Sequence, residues 1–86
     1  MQFLSRKKFD HNYNKLHKKV QEKFKDRRNL FLQDPTNKIL NVHKLSGEYE
    51  GMWSFNVTGD YRTIFDKNED GVIIFINIGT HPELFG

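Results

Sequence analysis

The pattern of apolar positions changes character once along the chain. From about Arg6 to Gln33, Phe9, Tyr13, Leu16, Val20, Phe24 and Phe31 recur at three- and four-residue steps, or a double step, with Lys and Arg between them. That is the period of a helix with one buried stripe. Asn12 and Asn14 weaken the first half, so the spacing predicts two helices with a break near His17, the first capped by Ser5. Asp34-Pro35 should end the second, because the residue before proline disfavours helical geometry. Met1 to Leu4 reads as a short edge strand.

Beyond Pro35 the period becomes that of strands. Asn37 to Leu45 holds one short strand, closed by Ser46-Gly47. Trp53, Phe55 and Val57 alternate with Ser54 and Asn56, and Thr58-Gly59-Asp60 has turn chemistry. Tyr61 to Asp66 forms the next strand, and Asn68-Glu69-Asp70-Gly71 signals a hairpin. Val72 to Ile78 is almost wholly apolar, which predicts a strand buried on both faces. Gly79-Thr80 should turn the chain into at most one helical turn over His81 to Phe85. Without repeats or linkers, residues 1–86 are expected to form a single α+β domain. Two N-terminal helices should pack on one face of a small antiparallel sheet of three to four strands.

Composition narrows the function. A chain of 86 residues allows one core and only shallow clefts, and its 14% aromatic content argues against disorder. With no cysteine there is no disulfide framework and no thiolate metal site. The beginning, MQFLSRKKF, lacks the apolar stretch of a signal peptide, and no segment approaches the roughly 18 apolar residues of a membrane span. A cytoplasmic protein with no membrane partner is the expectation. The formal net charge is +3, and ten of the 14 Lys and Arg lie between Arg6 and Arg28, against Asp10, Glu22 and Asp26. A basic half suggests a polyanionic partner, nucleic acid first, although a solvated helix face explains the charge equally well.

Candidate chemistry rests on few residues. His11 and His17, among the lysines, read as helix-surface residues. His43 and His81 fall at strand ends beside turns, where catalytic groups often lie. No His-Glu-x-x-His, acidic metal loop, phosphate-binding glycine loop or Gly-x-Ser-x-Gly elbow is present. Neither a metal nor another cofactor is expected. His, Asp, Arg and Tyr suit one reaction well. RNA carries its own nucleophile in the ribose 2′-hydroxyl, and needs from a protein a base, a cation for the phosphate and an acid for the leaving 5′-oxygen. Histidine can serve as base or acid near neutral pH, and aromatics can stack a splayed base.

The second half carries a resemblance. His43-Lys44-Leu45-Ser46-Gly47-Glu48-Tyr49-Glu50-Gly51 resembles the His-x-Leu-x-Gly-x-(aromatic)-x-Gly pattern of YafQ-type toxins in the RelE superfamily. Trp53 to Phe65 is similar to that family's strand–turn–strand, and Gly79-Thr80-His81-Pro82-Glu83-Leu84-Phe85 to its Gly-Thr-His-x-x-Leu-Phe terminus. The similarity is specific over residues 43–86 and matches only in layout before them. It implies a RelE-like fold and an endoribonuclease toxin that cuts mRNA, at the ribosome in RelE-type relatives, and is neutralised by a cognate antitoxin.

The resemblance also implies roles. His43 and His81 match catalytic histidines, and Asp60 a catalytic aspartate. Arg62 matches the strand arginine that contacts the scissile phosphate in RelE and YoeB. Tyr61 falls where a functional tryptophan stands, and Phe85 matches the terminal aromatic. Tyr61, Phe85, Lys44 and Asn56 are the expected substrate contacts. Two positions depart from the pattern: Asn56 replaces a further histidine and cannot shuttle a proton, and Trp53 replaces a common arginine and reads as part of the strand's packed face. Each matched residue has a plainer role available. Asp60 could stabilise its turn, Arg62 could pair with Asp60 or Glu83, Tyr61 and Phe85 could be packing, and His81 could cap the last turn. A non-catalytic, ParE-like or degraded toxin acting by protein binding is the alternative function, and a small RNA-binding domain without a toxin role is a weaker third.

Overall fold

A computed structural model describes residues 2–86. Phenylalanine spacing explains its architecture. Helices α1 (Lys7–Asn14) and α2 (Lys18–Gln33) bring in Phe9, Phe24 and Phe31. Strands β3 (Trp53–Asn56), β4 (Tyr61–Lys67) and β5 (Ile73–Thr80) contribute Phe55, Phe65 and Phe75. These six rings form one buried cluster. Phe24 meets Phe75 at 5.1 Å between ring centres, Phe31 meets Phe65 at 5.1 Å, and Phe31 meets Phe55 at 5.4 Å. Both long helices therefore cover one face of the sheet.

The sheet has five strands in the order β1-β5-β4-β3-β2, with β1 spanning Phe3–Ser5 and β2 spanning His43–Lys44. This corrects the expectation of three or four strands, all antiparallel. The pairs β2–β3, β3–β4 and β4–β5 are antiparallel, but β1 runs parallel to β5 and makes the sheet mixed. The two edge strands of three and two residues are too short to show a period. Met1, included in the first expected strand, lies outside the described residues.

The expected break falls where the asparagines weaken the first helix. His17 caps α2, its Nδ1 accepting from the Lys19 backbone N–H at 3.3 Å. Asp34 closes α2 as its C-cap, as the following proline requires. Ser5 does not cap α1. Arg6 holds that position, and Ser5 lies in β1, where its hydroxyl donates to Asp10 Oδ1 at 2.6 Å. In β5, Ile73, Phe75 and Ile78 are buried while Ile74 and Ile76 are half-buried, so one face is tighter than the apolar run suggested. Gly79-Thr80 is not a turn but the end of β5. Helix α3 (His81–Phe85) folds back so closely that a Cβ on Gly79 would lie 3.2 Å from Glu83 Oε1 and 3.5 Å from Leu84 Cδ2.

Phe55 is fully buried and touches Phe24, Phe31, Phe65 and Phe75. Phe55→Ala should cost about 3–5 kcal/mol of unfolding free energy, read as a lower urea midpoint. Leu4→Ala, at a residue 59% exposed, should cost less than about 1 kcal/mol.

Candidate active site

Alternation along a strand decides what faces away from the helices. Phe55 points into the aromatic cluster, so its neighbour Ser54 points to the opposite face. In register, Ser54 stands between His43 on β2 and Ile64 on β4. Directly opposed residues of an antiparallel pair share a face. His43, Ser54 and Ile64 thus lie on the uncovered side, joined by Arg62 two residues before Ile64. Helix α3 returns from β5 onto this side and adds His81 and Phe85. The result is a cleft of about 360 Å³ lined by His43, Ser54, Arg62, His81 and Phe85, with Asn41 and Leu45 at its margin.

Local contacts orient each group. Asn41 has φ 49°, a left-handed conformation uncommon outside glycine. Its carbonyl accepts a hydrogen bond from His43 Nδ1 at 2.8 Å. A carbonyl has no proton to give, so Nδ1 carries the hydrogen and the neutral ring presents the Nε2 lone pair. Arg62 is anchored by one nitrogen. Its Nη1 donates to the carbonyls of Thr58, Gly59 and Tyr61 at 2.8, 3.1 and 3.0 Å. Nε and Nη2 take no part in those bonds. The guanidinium therefore straps the β3–β4 turn and retains donors for an anion. It pairs with neither Asp60 nor Glu83 in this arrangement. On the cleft floor, the buried Ser54 hydroxyl has no hydrogen-bond partner among the described residues.

A capping box positions His81. Thr80 Oγ1 accepts from the Glu83 backbone N–H at 3.4 Å, and Glu83 Oε1 accepts from Thr80 N and Oγ1 at 2.8 and 2.9 Å. Pro82 fits the first turn, where its missing donor is not needed. The His81 ring lies 4.9 Å from Phe85, which meets Tyr49 edge-on at 5.9 Å. The short 3₁₀ turn Gly47–Tyr49 thus braces the terminal helix. His81 is also tied to the β3–β4 turn, its backbone N–H donating to the Asp60 carbonyl at 3.2 Å.

The proposed site residues divide. His43, Arg62, His81 and Phe85 meet in one cleft. Asp60 and Tyr61 line an adjoining cleft that shares His81. Lys44 and Asn56 line neither. Strand alternation turns Lys44 away from His43, toward its register partner Trp53, with Nζ 5.3 Å from the ring centre. Asn56 lines a separate cleft with Lys23 and Arg27, and its buried Oδ1 lacks a partner. Asn41, Ser54 and Tyr49 had no assigned role. A left-handed backbone at Asn41 leaves little mark on a sequence, whereas Tyr49 was visible as the aromatic between two glycines.

Residues 1–86 match the family described as bacterial toxin of type II toxin–antitoxin system, YafQ. The chain belongs to this YafQ toxin family. No curated protein matches it in sequence. Among solved structures, it is similar to YafQ from E. coli strain BL21(DE3), at 20% identity over 98% of this chain and 97% of that one, with a TM-score of 0.82. The E. coli DinJ–YafQ toxin–antitoxin complex matches at 20% identity, over 98% and 96%, with a TM-score of 0.79. The archaeal RelE–RelB complex from Pyrococcus horikoshii OT3 matches at 24% identity, over 92% of each chain, with a TM-score of 0.72. At these identities the TM-scores and coverages show a shared RelE/YafQ fold. No helix among the described residues is long and apolar enough to cross a membrane.

The capping box gives this YafQ-family chain a measurable pH response. Hydrogen bonds from the Thr80 backbone and side chain hold the Glu83 carboxyl below its ordinary value of 4.5. A depressed carboxylate contributes its stability fully above 4.5 and loses it as pH falls through the lowered folded value. Protection factors of the α3 amides, after correction for the intrinsic pH dependence of exchange, should fall on acidification through that window. Glu83→Gln should remove this pH dependence, and Thr80→Ala should destabilise α3 by about 1 kcal/mol at neutral pH.

Proposed function

We propose that this toxin is an endoribonuclease that cuts mRNA, at the ribosome, by attack of the ribose 2′-hydroxyl on the adjacent phosphate. The observation that carries the proposal is the convergence of His43, Arg62 and His81, from β2, β4 and α3, on one open cleft. A toxin acting by protein binding alone has no use for two proton carriers around one cation.

The geometry suggests a division of labour. His43, its Nδ1 engaged by the Asn41 carbonyl and its Nε2 left to the cleft, suits the base that takes the 2′-hydroxyl proton. The 2′-oxygen then bonds to phosphorus. Arg62 offsets the extra negative charge of the phosphorane-like state through Nε and Nη2. His81, as imidazolium, gives its proton to the departing 5′-oxygen as the phosphorus–oxygen bond breaks. The products are a 2′,3′-cyclic phosphate and a free 5′-hydroxyl, and no metal ion is needed for the atoms or charges to balance. Phe85 stacks beside the scissile site, and Asp60 and Tyr61 line the adjoining path. Lys44 and Asn56 receive no role in the cleavage step.

Removing a proton-transfer group typically costs ~10²–10⁴-fold in rate. His81→Ala and His43→Ala should each lose that much cleavage and the accompanying growth arrest, while the proteins keep the wild-type melting profile. A 2′-deoxyribose at the cut site should block cleavage and leave binding intact. Normal cutting of that substrate would overturn the mechanism.

DinJ and RelB, the partners in the two complexes above, motivate a second proposal: a cognate antitoxin covers the cleft holding His43, Arg62 and His81. An acidic segment suits its cationic wall and the basic helices. Association of the purified pair should slow as salt rises while dissociation changes little. Retained RNA cleavage by the saturated complex would argue against cleft occlusion.

A further inference from the structure

The second half of the chain, from Asn37 to Gly86, carries only four Lys and Arg residues against seven Asp and Glu. Those four cations gather at two adjoining places. Arg62 lies in the cleft described above. The other three, Lys38, Lys44 and Lys67, surround Trp53, the chain's single tryptophan. Lys44 Nζ lies 5.3 Å and Lys67 Nζ 5.2 Å from the Trp53 ring centre. Register explains the grouping, since Trp53 pairs with Lys44 on one side and with Phe65, two residues before Lys67, on the other. Lys38 lines a cleft of about 510 Å³ beside the ring, together with Pro35, Val42 and Asn41. Trp53 is only half-buried, and all three lysines are exposed.

Asn41 also lines the catalytic cleft and holds His43. The two clefts therefore adjoin across one residue at the β2 edge of the sheet. A flat aromatic ring ringed by flexible cations is the combination that binds single-stranded nucleic acid, with the ring stacking a base and the cations meeting phosphates. Nearby Asp34 is engaged locally, accepting from Thr36 Oγ1 at 3.4 Å and Asn37 Nδ2 at 3.2 Å. We propose that Trp53, Lys38, Lys44 and Lys67 form a second RNA subsite on the helix-side face, which stacks an unpaired base of the strand where it passes round the β2 edge from the cleft and neutralises its backbone. The lysine heads move aside as the base seats on the indole. This inference rests on the endoribonuclease reading for its substrate and assigns Lys44 a function outside the catalytic cleft.

The single tryptophan makes the subsite directly observable. The probe is a short single-stranded RNA with every 2′-hydroxyl methylated, which cannot be cut. At low salt it should quench Trp53 fluorescence in parallel with the rise in anisotropy of an end-labelled copy. Trp53→Phe should keep most of the affinity, and Trp53→Ala should lose roughly 5- to 100-fold. Because Trp53→Ala also disturbs packing, Lys44→Gln with Lys67→Gln provides a test on exposed residues. That double variant should keep the wild-type melting profile and flatten the slope of log affinity against log salt by about 1.4, at about 0.7 per phosphate contact.

Saturating binding with an unchanged Trp53 spectrum would overturn the subsite, as would equal quenching by the same sequence in a duplex, whose bases are not free to stack. Failure of the probe to bind at all would also overturn it. Cleavage of the unmethylated RNA without quenching of the probe would reject the subsite and leave the endoribonuclease reading standing. Quenching by the probe together with intact mRNA on toxin-treated ribosomes would do the reverse.

Discussion

The cluster of six phenylalanines sets the rest of the structure. Two helices and three strands each contribute rings, and the centroid separations of 5.1 to 6.4 Å lie within the range for favourable tilted and offset pairs. Once Phe55 and Phe65 commit one sheet face to the helices, the period of two sends Ser54, Arg62 and Ile64 to the other. The cleft that holds Arg62 and Ser54 is thus the far side of the core. A one-residue slip between β3 and β4 would bury polar groups among the aromatics and turn apolar ones outward. The packing that stabilises the fold therefore also fixes which side chains can meet substrate.

Legibility in the sequence follows the same division. Helix periods, the weak point near His17, the Asp34-Pro35 stop and the strands from Trp53 onward were readable because each rests on local spacing. Parallel pairing of β1 with β5 was not, since three residues carry no period and the partner lies some 70 positions away. Gly79 was misread as a turn residue because glycine serves close approach as well as turning. His43, Arg62, His81 and Phe85 were singled out through motif resemblance, and strand alternation together with the return of α3 explains why they line one cleft. The same alternation excludes Lys44, adjacent to His43 in sequence but facing the opposite way. Composition also pointed to the basic helices, while the cations nearest the cleft come from the acidic half.

The placement of charge around the cleft is economical in another sense. Arg62 spends one nitrogen on three backbone carbonyls of its own turn. A guanidinium so restrained loses less side-chain freedom when it meets a phosphate than a free one would. His43 is restrained by Asn41, and His81 by the capping box and its contact with Phe85. In each case a backbone group or a neighbouring ring restrains the side chain. The chemistry-bearing atoms are thereby preorganised without being buried.

That openness has a consequence for binding. A domain of 86 residues cannot enclose a polynucleotide, so under the proposed activity each contact with RNA would be made near bulk water. Charge attraction between exposed groups fades over about 8 Å at physiological salt. Cations far from the cleft, such as those of α2, can speed encounter but hold a given phosphate weakly. Holding one nucleotide in place requires contacts within a few ångströms, and stacking supplies a component that salt does not screen. An aromatic lines each cleft, Phe85 in one and Trp53 in the other, on the two sides of Asn41, where the proposed function would need such stacking. The left-handed conformation at Asn41 then has a physical rationale. It aims one carbonyl at His43 and lets the chain turn tightly between the two clefts, and a β-branched residue there would strain the same backbone.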